Sequence, residues 1–203
     1  MSELERRLAR GADGPALDAD RLSVALHQRA EAEGLLDVAY GSMDSPLGEL
    51  LVAVTPRGLV RVAYVQEAQD AVLEELAGRV SPRVLRAPER TDEVRHELEQ
   101  YFAGDRRDFD TPIDWSLVRG FAVGVLQAAA RVPFGQVTTY REVAGAAGSP
   151  RAARAAGNAL GSNPIPIVVP CHRVVHAGGG LGGYTGGLER KRFLLSLEGA
   201  LRG

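Results

Sequence analysis

Apolar and polar positions alternate in three short runs near the start of the chain, at 38–43, 49–54 and 59–65. The segments between them, Ser45-Pro46-Leu47-Gly48 and Pro56-Arg57-Gly58, carry turn residues. A period of two broken by Pro and Gly predicts strands joined by tight turns, here an antiparallel meander. The period then lengthens to that of a helix at 67–79 and again at 89–103. The second of these is apolar at Val94, Leu98, Tyr101 and Phe102 and is stopped by Gly104. A short extended piece follows at 109–115, and the composition changes near 115. Upstream, Leu17, Leu22, Ala25, Leu26 and Ala30 mark a modest amphipathic helix at 17–33 within a polar leader.

Past residue 115 the pattern predicts a helix at 117–130, a loop beginning at Val132, and two short helices at 140–147 and 151–160. Gly148 ends the first, Ser149 is placed to cap the second, and Pro150 falls in its first turn. Helix, glycine turn and helix make a helix-turn-helix pattern. The second helix is built from Ala152, Ala153, Ala155, Ala156 and Gly157, with Arg154 and Asn158 four apart on one face. Side chains this small suit either tight packing in a core or close approach to a partner. The division expected is a leader at 1–36, an α/β domain at 37–115 and a mostly helical domain at 116–203.

Charge bears on which of these a partner meets. Net charge is only −2, but of 24 basic and 26 acidic residues, 10 and 3 fall within 116–203, a net of +7. That leaves 14 and 23 before it, a net of −9. A basic half beside an acidic one suggests a polyanion-binding module joined to a domain that does not bind polyanions. With 45% hydrophobic and 25% charged residues, 203 residues suffice for a buried core. No uncharged apolar stretch approaches the roughly 20 residues of a membrane span, and residues 1–7 lack the apolar segment of a secretory signal. The expected setting is the cytoplasm. One cysteine excludes an internal disulfide, and with four scattered histidines it matches no zinc spacing, so no metal is expected.

That cysteine, Cys171, ends an apolar run of strand type, Pro164-Ile165-Pro166-Ile167-Val168-Val169-Pro170, and is followed by His172 and Arg173. An imidazole and a guanidinium beside a thiol both favour its ionised form, which is the setting of a reactive thiolate. The alternative is a small buried hydrophobe, the usual fate of a lone cysteine.

The stretch 162–175 around Pro170-Cys171-His172-Arg173-Val174, with Gly182-Gly183-Tyr184-Thr185-Gly186-Gly187-Leu188 and Leu194-Leu195-Ser196-Leu197-Glu198 after it, closely resembles the O6-alkylguanine-DNA alkyltransferases. The match is strong over 132–198, weak over 37–131 and absent before 37. The resemblance implies an antiparallel, ribonuclease H-like sheet in the first domain and a winged helix-turn-helix-like second domain. It implies a reaction in which Cys171 takes an alkyl group from guanine O6 (and O4 of thymine as a further substrate) once per molecule. His172 would deprotonate the thiol through a water, Glu198 would orient His172, Asn163 would tie down the active-site segment, and Tyr140 would protonate the leaving purine. Arg154 would fill the stack left by an everted nucleotide. Thr139, Arg151, Ala152, Ala153, Ala155, Gly157, Asn158 and Arg173 would meet DNA. Tyr140, Pro166, the Val174 carbonyl, Tyr184 and Thr185 would form the base pocket. The implied partner is duplex DNA carrying alkylated bases, bound by a monomer without cofactor. Ala122 and Leu126 stand where the family usually has Gln and Trp, which reads as repacking. Two other readings remain at this point: a non-catalytic lesion binder that recruits another pathway, and a Cys-His acyl-transfer enzyme.

Overall fold

In the computed structural model, which describes residues 36–64 and 69–201, the three alternating runs become β1 (Val38–Met43), β2 (Leu50–Thr55) and β3 (Gly58–Tyr64). The predicted leader helix at 17–33 lies outside the described residues. The meander is antiparallel, with Tyr40 opposite Ala53 and Val52 opposite Val62. Gly58 closes the second hairpin at φ 127°, and a side chain there would collide with the Pro112 carbonyl.

All six residues of β2 are buried, so the sheet is covered on both faces. On one face Val38, Leu51, Ala53, Val60 and Ala63 pack with Val72 and Leu76 of α1 (Gln69–Arg79) and with Leu117. A 3-10 turn at Pro88–Thr91 packs against β1 and β2 and leads into α2 (Asp92–Ala103). Within α2, Val94, Glu97, Leu98 and Tyr101 form the buried stripe; Phe102 is only half-buried. Gly104 ends the helix in the left-handed region at φ 86°. Glu97 is buried because the returning chain uses it: its carboxylate accepts from the backbone of Asp110 and Thr111 and from Thr111 Oγ1.

The sheet order is β3-β2-β1-β4, where β4 (Val84–Arg86) pairs parallel with β1. The expected antiparallel sheet is therefore mixed. A three-residue strand is too short to show a period, which is why the sequence pattern passes over it.

β3 lies at the sheet edge, and its outward backbone groups are covered rather than left as an open template. Leu59 exchanges hydrogen bonds with Pro112 and Asp114, and Val62 N donates to Pro164 O at 2.9 Å. The acidic half thus grips the first residue of the Pro164–Pro170 run directly. Asp37–Gly203 form one compact unit.

The second half contains α3 (Phe121–Ala130), β5 (Thr138–Thr139), α4 (Tyr140–Ala146), α5 (Ala153–Gly161), β6 (Val174–Val175) and α6 (Leu188–Leu197). Leu126 is fully buried in α3, as the repacking reading expects. Thr139 and Glu142 form a reciprocal capping box at the start of α4. The expected cap on α5 is absent. Gly148 turns the chain at φ 82°, but Ser149 to Ala152 form a further turn, with Ala152 N donating to Ser149 O, so Ala152 rather than Ser149 precedes the helix and Pro150 lies outside it.

The apolar run at 164–170 is not a strand. Three prolines remove the donors that a ladder requires, and the segment folds into buried turns instead. Asn163 takes over the missing hydrogen bonds: its Oδ1 accepts from Ile165 N at 3.0 Å and its Nδ2 donates to Val169 O at 2.8 Å. Ile167 is held at φ 76°, a conformation that opposes a β-branched residue by about 1–3 kcal/mol and persists only where the surroundings over-determine it.

Candidate active site

The folded 164–170 segment delivers Cys171 to the floor of a cavity of about 590 Å³. Its walls come from Tyr140, from the Ala153, Arg154 and Gly157 face of α5, and from His176, Gly183, Tyr184 and Thr185. Cys171 is 4% exposed, and its sulfur accepts from Asn163 Nδ2 at 3.2 Å. Asn163 therefore shapes the segment and touches the thiol with the same amide.

Burial pushes the Cys171 thiol up to about 11, against the pull of the Asn163 hydrogen bond and the positive charge of Lys191. This differs from the expectation that an adjacent imidazole and guanidinium would favour the ionised form, because both side chains are engaged elsewhere. His172 Nε2 bonds to Glu198 Oε1 at 2.8 Å, and Arg173 reaches both Glu198 oxygens at 2.9 Å. Arg173 also donates to Val132 O and is buried, so the structure removes it from the expected DNA contacts and makes it a support of the carboxylate.

Glu198 follows α6 and also accepts from Tyr101 Oη at 2.7 Å and, weakly, from Gly135 N at 3.4 Å. Burial alone would raise its carboxyl, but the donors from His172 and Arg173 outweigh it and hold the group down to about 2. An ionised carboxylate only accepts, so Nε2 of His172 carries the proton and Nδ1 keeps a lone pair. Nδ1 is buried and has no protein partner among the described residues. Desolvation lowers the imidazole below its ordinary value despite Glu198, which keeps it neutral. A neutral base with its tautomer fixed thus lies next to the thiol in sequence.

Tyr140 opens α4, and its ring stands 5.1 Å from that of His176. Any side chain at Gly182 would overlap its phenolic oxygen. Burial, with the charge of Cys171, raises its hydroxyl above the ordinary value, so it stays a proton donor even beside a thiolate. Tyr184 Oη meets Tyr64 Oη at 2.8 Å, which anchors the far wall to β3. Thr185 Oγ1 donates to Gly161 O at 2.6 Å.

The structure does not bring every expected pocket residue to the cavity. Pro166 and Val174 are buried and do not line it, and the Val174 carbonyl accepts from Lys191 Nζ at 2.6 Å. Lys191 is fully buried, and desolvation lowers its ammonium to about 8 against the pull of Cys171. The sequence signal for it is slight: one lysine in a chain whose other 23 basic residues are arginine. On α5, Arg154, Ala155 and Asn158 are exposed and Ala153 and Gly157 half-buried; in the preceding turn Arg151 is exposed and Ala152 half-buried. Ala156, Ala159 and Leu160 face inward. Both uses of small residues apply, one on each face of the helix. Thr139 is half-buried, with its hydroxyl committed to the cap.

The arrangement combines a buried thiol, a neutral imidazole oriented by a carboxylate, and a base-sized cavity under an exposed arginine helix. Residues 38–115 match the family 6-O-methylguanine DNA methyltransferase, ribonuclease-like domain, and residues 120–200 match 6-O-methylguanine DNA methyltransferase, DNA binding domain. A methylated-DNA–protein-cysteine methyltransferase of Methanosarcina acetivorans is 37% identical over 166 residues, covering 79% of this chain and 98% of the relative. The chain belongs to the methylated-DNA–protein-cysteine methyltransferase family. Another such methyltransferase, from Mycolicibacterium paratuberculosis, is 39% identical over 163 residues, covering 79% of the chain and 92% of the relative. Among solved structures, the Mycobacterium tuberculosis O6-methylguanine methyltransferase superposes with a TM-score of 0.69 at 36% identity, covering 82% of this chain and 95% of that one. The same organism's enzyme in complex with DNA gives 0.68 at 37% identity, covering 80% and 93%. The mixed sheet followed by a helical domain is thus the methyltransferase fold.

Proposed function

We propose that this methyltransferase repairs DNA by direct reversal, moving an alkyl group from O6 of an everted guanine to Cys171 in one in-line displacement. The observation that carries this is the sulfur on the floor of a cavity whose rim is the exposed Arg154 face of α5. The thiol proton passes through a water to Nδ1 of His172, the ring nitrogen that the Glu198 contact leaves with a free lone pair. The sulfur then bonds the alkyl carbon while the carbon–O6 bond breaks and its electrons leave on guanine. Tyr140 gives the purine a proton and is reprotonated from solvent. The product is a thioether, which no group in the site can cleave, so each molecule turns over once.

DNA binding falls to the basic half, with Arg151, Arg154 and Asn158 as the exposed contacts and the small residues of α5 allowing close approach. Division of labour between 37–115 and 116–203 follows, the first half supporting and the second binding and reacting. A cytoplasmic monomer acting without metal or cofactor fits this chemistry. Among the described residues no helix is long and apolar enough to cross a membrane.

Incubation with a duplex bearing one O6-methylguanine, followed by intact mass and peptide mapping, should show one added methyl on Cys171. Tight lesion binding without a mass gain would replace this reading with that of a non-catalytic lesion binder. Affinity for duplex should fall as salt rises, with a log–log slope of about −0.9 per phosphate neutralised. A flat response would count against the α5 contacts.

A further inference from the structure

Glu198 Oε1 is shared. It accepts from His172 Nε2 at 2.8 Å, from Arg173 Nη2 at 2.9 Å and from Tyr101 Oη at 2.7 Å, and Tyr101 belongs to α2 in the other half of the molecule, 97 residues earlier. We propose that Tyr101 is a positioning residue for alkyl transfer: by occupying the oxygen that His172 uses, it draws negative charge away from the imidazole and keeps that ring neutral and able to take the thiol proton. The inference rests on the alkyl-transfer reading above.

Two observations separate this from simple packing. The Tyr101 ring is fully buried among Phe102, Phe109 and Phe134, with centroids 5.5, 5.5 and 6.1 Å away, so a phenylalanine would fill the same space. A hydroxyl buried in such a cluster is unfavourable without a partner, and its partner is the carboxylate of the site. The groups facing His172 are Glu198 at the end of α6, Lys191 within α6, the neighbouring Cys171 and Arg173, and the Tyr184 ring at 6.4 Å. Lys191 and Arg173 disfavour the imidazolium and Glu198 favours it. Tyr101 acts on this balance through Glu198 alone.

The sign follows. In Tyr101→Phe the carboxylate loses a donor, its charge concentrates on His172, and the imidazolium is stabilised. The base is then protonated at a higher pH, and the acid limb of the rate profile moves up.

The test is single-turnover transfer from free O6-benzylguanine between about pH 5 and 9, where an imidazole titrates. The acid limb of Tyr101→Phe should lie about half a unit to one unit above that of wild type, the size expected for one hydrogen bond to a charged group. Apparent affinity for benzylguanine should not change, because Tyr101 does not line the cavity. The ring nitrogens of His172, followed by 15N NMR, should titrate with the same displacement. An unmoved limb in folded Tyr101→Phe overturns the proposal. Should that variant not fold, 3-fluorotyrosine installed only at position 101 is a stronger donor and should move the limb down; no movement again overturns it. Wild type that transfers neither the benzyl group of the free base at any pH nor the methyl of an O6-methylguanine duplex defeats the alkyl-transfer reading itself.

Discussion

Glu198→Gln will destabilise the protein by about 3–5 kcal/mol at neutral pH and slow alkyl transfer by about 10²–10⁴-fold. The stability loss comes from Arg173, whose guanidinium is buried with both Glu198 oxygens at 2.9 Å and would be left as an uncompensated buried charge. The loss of rate comes from His172. A Gln amide can donate to Nε2, which moves the ring proton to Nδ1 and removes the lone pair that takes the thiol proton. Urea unfolding checks the first effect and single-turnover transfer the second. A stability change under about 1 kcal/mol would mean that solvent, not the carboxylate, neutralises Arg173.

The pH dependence has a definite direction. The Glu198 carboxyl is held down to about 2 in the folded protein, below its value in the unfolded chain. Its contribution is therefore complete above the ordinary carboxylate range, near 4.3, and is lost as pH falls towards 2. The gap between wild type and Glu198→Gln should narrow over that window. A gap that stays constant from neutral pH down to about 3 would show that the carboxylate is not the group responsible.

Much of this machinery is legible in the sequence where local chemistry decides it. The three meander strands fall within a residue or two of their alternating runs, because Pro and Gly fix the turns between them. Asn163 meets Cys171 and Glu198 meets His172 as two hydrogen-bonded pairs, since most of that geometry is set within one short stitched segment and one helix end. What local pattern does not carry is the destination of a side chain. Arg173 reads as a DNA contact in a basic half, yet tertiary packing turns it inward onto Glu198. Val174 reads as a pocket carbonyl, yet a lysine 17 residues later claims it. The run at 164–170 has the apolar character of a strand, but its prolines forbid the ladder and an asparagine side chain folds it instead. Tyr101 shows only as one apolar position in a helical stripe. Its hydroxyl acquires meaning when α2 is brought against the end of α6, a contact no periodicity encodes.

Arg154→Ala should slow repair of O6-methylguanine in duplex DNA by about 10- to 100-fold while changing reaction with free O6-benzylguanine by less than about twofold. Arg154 lines the rim of the cavity and is exposed, so its guanidinium can enter a duplex at the point where a nucleotide leaves it. Eversion of a stacked nucleotide is unfavourable by a few kcal/mol, and a side chain that occupies the vacated place recovers part of that. A recovery of about 1.4–2.7 kcal/mol corresponds to the stated range of rates. The free base needs no eversion, and the groups proposed to carry out displacement, Cys171, His172, Glu198 and Tyr140, are untouched by the substitution. Arg154→Lys should not restore the duplex rate, because a compact ammonium supplies charge without a planar surface to stack on the exposed bases. Equal losses on both substrates would place Arg154 in the chemical step and take α5 out of the role of the helix that opens the duplex.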